Sequence, residues 1–143
     1  MNTSIKTTTS FWVISVIALL WNLMGVGAYL GQALMTDEMK KMIPEDQLTI
    51  LENTPIWATA AFAIAVWFGV LGAVLLLFRK KIAKMVFLIS LLGVLVQLIY
   101  NIFMTNAIEA FGVSSIIQPL VTVSISVFLV WFANNNIEKG VLK

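Results

Sequence analysis

Asn22, Gln97, Asn101, Gln118, Thr122 and Ser126 are uncharged polar side chains set inside long apolar runs of a 143-residue chain. Amides offer donors and acceptors, hydroxyls one donor and two lone pairs, and none of these groups ionises near neutral pH. The chemistry open to them is hydrogen bonding to something neutral: another helix, or a small polar solute. Proton transfer and nucleophilic attack need a base, a thiol or a metal ligand close by. The chain has no cysteine and no histidine, and apart from Lys84 at the edge of the third run no charged residue interrupts the runs. No enzyme activity, catalytic residue, metal or cofactor is therefore expected. Proton-coupled transport and ion pumping, which generally use an ionisable group at depth, are disfavoured on the same ground.

The elements that position these groups follow from composition and hydropathy. Hydrophobic residues make up 60% of the chain and charged residues 11%. Soluble domains run near 45–50% and about 25%, so the solvent that fits this chain is lipid. Ile56 to Phe78 carries no charge and at about 1.5 Å per residue reaches about 34 Å, enough to cross a hydrocarbon core of about 30 Å. Thr54 is placed to cap its start and Pro55 to occupy the first helical position. A single transmembrane domain over 1–143 is expected, all-α, an up-down-up-down four-helix bundle with spans at about 11–34, 56–78, 83–104 and 116–133. The first run is longer than a signal-peptide core and is interrupted by Asn22 and Gly25, so it reads as a retained helix.

Residues 35–53 form the one sizeable polar connection. Thr36 is a candidate cap for a short helix with Asp37 and Glu38 in its first turn and Lys40 and Lys41 at its end, and Pro44 restarts a second. This stretch reads as an amphipathic helical cap at one interface. Residues 105–115 read as a short loop, with Phe111 dipping into the interface. Arg79, Lys80, Lys81 and Lys84 determine the topology: with Lys6, Lys139 and Lys143 they set seven basic residues on one side, against Lys40 and Lys41 on the other. By the positive-inside rule both termini belong in the cytoplasm.

At 100° per residue each span shows one distinctive face. Ser15, Ala18, Asn22, Gly25 and Tyr29 align on the first, and Ala58, Ala61, Ala65, Gly69 and Gly72 make a small-residue groove on the second. Ser90, Gly93, Gln97, Tyr100 and Asn101 align on the third, and Ser115, Gln118, Thr122 and Ser126 on the fourth. Such faces turn inward in lipid, and the depths of Asn22, Gln97 and Thr122 suit one shared hydrogen-bonded cluster. Gly27 and Gly31 form a GxxxG pair on the opposite side of the first helix, read either as a self-association face or as close packing inside the bundle.

The stretches WNLMGVGAYLGQALMT (21–36), PIWATAAFAIAVWFGVLGAVLLLFRKK (55–81) and LVQLIYN (95–101) carry a resemblance over nearly the full length to a family of small bacterial four-helix integral membrane proteins, whose members sometimes bear the label "sugar transporter". The resemblance implies a multi-pass protein of the bacterial cytoplasmic (inner) membrane. The chain departs from better-understood small transporters. It lacks the membrane-embedded Glu of small multidrug exporters, it has four spans where half-size sugar transporters have three, and Gln118-Pro119 reverses their Pro-Gln order.

Two functional classes follow. The leading expectation is a non-enzymatic membrane component acting in assembly or partner binding, with the bundle interior held together by its polar groups. The alternative is a small transporter or facilitator for a neutral polar solute such as a sugar. The expected partners are the lipid bilayer, a second copy or another membrane protein, and in the alternative the solute; no nucleic acid is expected. A dry interior favours the first class, and a continuous cavity between Asn22, Gln97 and Thr122 favours the second.

Overall fold

A computed structural model describes residues 8–103, 109–110 and 112–143, and all regular structure among them is helical. The elements are α1 (Thr9–Ala33), α2 (Asp37–Lys40), α3 (Glu45–Glu52), α4 (Ile56–Leu77), α5 (Ile82–Phe103) and α6 (Ser114–Glu138). α1, α4, α5 and α6 are each long and apolar enough to cross a membrane. Their boundaries fall within one or two residues of expectation except at the end of α6, which runs to Glu138 where Ala133 was expected. The polar Asn134–Asn136 run marks departure from lipid, yet the helix continues because its side chains are satisfied there. Asn136 Nδ2 donates to the Phe132 carbonyl at 2.7 Å, and Asn134 Oδ1 accepts from Lys84 Nζ at 2.9 Å. Lys6 and most of the expected 105–115 loop, Phe111 included, lie outside the described residues.

Capping separates what was expected from what occurs. Thr8 Oγ1 accepts from the Phe11 amide at 3.1 Å and starts α1, and Thr36 Oγ1 accepts from the Met39 amide at 3.3 Å as anticipated. Thr54 does not cap α4. Pro55 occupies the N-cap position itself with no side-chain cap bond, and Thr54 Oγ1 turns back to donate to the Ile50 carbonyl at 2.9 Å. The hydroxyl finds a nearer acceptor at the frayed end of α3, whose last carbonyls have no helical partner. α2 and α3 lie at the end of the bundle remote from the Arg79 turn, the cap end, where Trp57 meets Tyr100 edge-on at 5.3 Å.

The long helices pack in chain order: α1 on α4, α4 on α5, α5 on α6. α1 and α6 do not pack along their length. Their axes stay apart, bridged near the opposite, basic end by Phe11 stacked on Phe132 at 5.8 Å. Phe11, Leu76, Phe87, Leu129 and Phe132 form an apolar core there together with the chain's last residues. Arg79 sits in the left-handed region (φ 59°) at the turn between α4 and α5. Gly140 (φ 78°) reverses the chain after α6, so that Val141 and Leu142 tuck under the bundle, Leu142 being 1% exposed. Arg79 Nε donates to the Val141 carbonyl at 3.0 Å, and the Lys143 amide donates to the Arg79 carbonyl at 2.8 Å.

Candidate functional site

The distinctive faces of α1, α4 and α5 turn inward, while on α6 Thr122 and Ser126 are half-buried and Gln118 is exposed, and the faces do not close on one another. Ala58, Ala61, Ala65, Gly69 and Gly72 of α4 are all buried, and α5 lies hard against them. A Cβ on Gly93 would stand 2.7 Å from the Ala61 carbonyl oxygen and 2.9 Å from the Ala65 nitrogen. Ser90 Oγ donates to the Ala65 carbonyl at 2.6 Å across the same contact. On the other flank of α4, Gly69 makes the notch that receives the Asn22 amide, and Gly25 meets Val66. The closeness of α4 to both neighbours is thus built from glycines.

α6 has no such notch to enter, and space remains between it and α1. One cavity of about 330 Å³ is lined by Asn22, Gly25, Phe62, Ser90, Gln118, Thr122 and Ser126 among others. A second of about 340 Å³ lies toward the cap end and includes Gln32, Thr54, Thr59, Gln97, Asn101, Gln118 and Thr122. The two share Phe62, Ala65, Val66, Val94, Gln118 and Thr122, so they adjoin. All of Asn22, Gln97, Asn101, Gln118, Thr122 and Ser126 line one or both, and no Asp, Glu, Lys or Arg does. Each volume falls at the lower end of the range typical of ligand pockets, about 300–1,000 Å³.

Two members of the expected cluster bond within their own helices. Asn22 Nδ2 donates to the Ala18 carbonyl at 2.7 Å, and Thr122 Oγ1 to the Gln118 carbonyl at 3.0 Å. Both bond back along their own helices, because a carbonyl one turn earlier is always in reach while a partner across the cavity is not. Gln97 Oε1 is buried and has no hydrogen-bond partner among the described residues. Such an oxygen forfeits about 1–3 kcal/mol unless something donates to it.

The cavities meet an apolar floor at one end and α3 at the other, with exposed residues along one side. Toward the basic end the floor is Phe87, Ile125 and Leu129, continuous with the apolar core. At the cap end Ile50 and Leu51 of α3 line the second cavity. Between α1 and α6, Met24, Ala28 and Gln118 line the space and are themselves exposed. Gln32 and Thr59 line the second cavity although neither was a candidate. Each is a lone polar residue in an apolar turn, and that was the available signal. Gly27 and Gly31 lie elsewhere, exposed, with nothing within 4 Å of where a Cβ would stand. Their reading as close packing within the bundle is therefore corrected: the contacts of α1 run along its Asn22 face.

Fold and site together define a small multi-pass membrane protein with an uncharged, laterally open cavity between its helices. No family model, no curated protein and no solved structure matches the chain.

Proposed function

We propose that this chain is a non-enzymatic membrane protein that binds a small uncharged ligand between its helices. The observation that supports it is the pair of adjoining cavities, built by all four long helices, whose largely apolar lining carries amides and hydroxyls and, among the described residues, no charge. Asn22 lines one cavity, Gln97 the other and Thr122 both, which supports solute handling over a fully packed bundle without amounting to one continuous passage. Transport of the ligand would require the floor at Phe87 and Leu129 to part as well. The kinship with small bacterial four-helix membrane proteins belongs to this proposal, as does a place in the bacterial cytoplasmic membrane with the basic end inside, supported by the charge distribution.

Assembly is the second reading, supported by the outward-facing Gly27 and Gly31, whose bare backbone would let another helix approach closely.

Thermal unfolding in phosphatidylcholine nanodiscs tests the binding reading. The panel covers glycerol, glucose, a long-chain alcohol and a monoacylglycerol, with a fatty acid anion and an alkylammonium as charged controls. An uncharged ligand at about 100 times its Kd should raise Tm by roughly 5–10 °C, and a cavity-filling Thr122→Trp exchange should abolish the shift. Equal shifts from the charged controls, or none from any uncharged compound, would contradict it.

A further inference from the structure

The mouth of the first cavity and a buried oxygen in the adjoining second together specify a ligand class and a route, an inference that rests on the binding reading above. Met24, 70% exposed, stands at the mouth near the middle of α1. An opening there, on a helix that crosses the bilayer, faces hydrocarbon and not water. At the cap end, Ile50 and Leu51 of α3 line the second cavity beside Gln32, Thr54 and Thr59. Inside, Gln97 Oε1 is buried and, among the described residues, has no donor and no counter-charge beside it for an ionised group, whose desolvation would go uncompensated. A guest that suits all of these features enters from lipid, carries no charge, and brings one hydrogen-bond donor on an apolar body.

We infer that the cavity takes an uncharged amphiphile from the bilayer, of the long-chain alcohol or monoacylglycerol type, whose hydroxyl donates to Gln97 Oε1 while its chain leaves between α1 and α6. The hydroxyl satisfies the buried acceptor, and the chain remains in contact with lipid at the Met24 and Ala28 edge. An ordinary phospholipid fits poorly, since its charged head would have to enter an uncharged space.

The test uses a diazirine-bearing long-chain alcohol and its methyl ether, which keeps the chain and lacks the donor. Each is irradiated with the full-length protein in phosphatidylcholine nanodiscs, and the adducts are mapped by mass spectrometry. The alcohol should label cavity-lining residues of α1 and α6 at least tenfold more than the ether. Gln97→Leu should bring the alcohol down to the level of the ether without lowering Tm, since a buried acceptor with no partner is removed; Gln97→Met serves if the leucine variant does not fold. Equal labelling by alcohol and ether, labelling confined to the lipid-facing surface, or undiminished labelling of a folded Gln97 variant would each overturn the inference. If glycerol or glucose stabilises the protein while the alcohol fails, the binding reading survives and the lipid route falls; if no compound binds, both fall.

Discussion

Gly93 is the residue at which α4 and α5 have least room to spare. The atoms facing its absent side chain are backbone, the Ala61 carbonyl oxygen and the Ala65 nitrogen, and neither can swing aside as a side chain would. Gly93→Ala should therefore separate the helices and weaken the Ser90–Ala65 bond beside it, at a cost of about 1–3 kcal/mol. Gly27→Leu with Gly31→Leu gives the contrast: stability of the isolated bundle should change by less than about 0.5 kcal/mol, while any self-association seen by light scattering should disappear. Thermal unfolding of the three proteins in one detergent compares them directly; loss of stability from the Gly27 and Gly31 pair, with none from Gly93, would reverse the assignment. The spacing of Gly27 and Gly31 and the inward side of α1, its Asn22 face, were legible in the sequence, but how closely that face would approach α4 was not. That depended on Asn22 having a glycine opposite it, a complementarity between two segments that neither displays alone. The membership of the polar lining was legible from helical phase, whereas the cavity itself was not, because the phase of a face says nothing about how far apart two axes stand.

At the scale of elements, the turn between α4 and α5 and the tail that docks on it behave as one unit. Arg79 adopts a left-handed conformation (φ 59°) that costs a side-chain-bearing residue roughly 1–2 kcal/mol. It holds that conformation while its Nε and carbonyl both bind the segment from Val141 to Lys143. Arg79→Ala loses the Nε bond and keeps the strain; Arg79→Gly loses the bond but relieves the strain. The alanine variant should be less stable than the glycine variant by about 1 kcal/mol, read from denaturation midpoints, and the reverse order would show that the turn is unstrained. None of this was legible in the sequence, where Arg79 reads only as one of a run of basic residues. Left-handed turns are usually flagged by glycine or asparagine, and the docking of Leu142 is a contact between distant parts of the chain. The four spans were legible because lipid imposes length and hydropathy on each helix separately. The end of α6 was misplaced for the same reason: hydropathy marks where a helix leaves the membrane, not where it stops.

The molecule as a whole is a curved row of four helices, closed into a bundle by an aromatic bridge near the basic end and left open between α1 and α6 above it. Its two ends differ in charge and in construction. The basic end is filled by core side chains and the tail, and the cap end meets α3. What lies between, among the described residues, is an uncharged space whose largely apolar walls carry several amides and hydroxyls, one of them a buried acceptor with no described partner. The central claim is that this space has an occupant, and the most direct measurement is of what the protein holds when it leaves the membrane. Wild-type protein and Thr122→Trp, extracted in polymer-bounded native discs and matched for folding by Tm, would be analysed for retained small molecules by mass spectrometry. An uncharged, hydroxyl- or amide-bearing compound should be enriched toward one per chain in the wild type and lost from the variant. Identical small-molecule content in the two would contradict it.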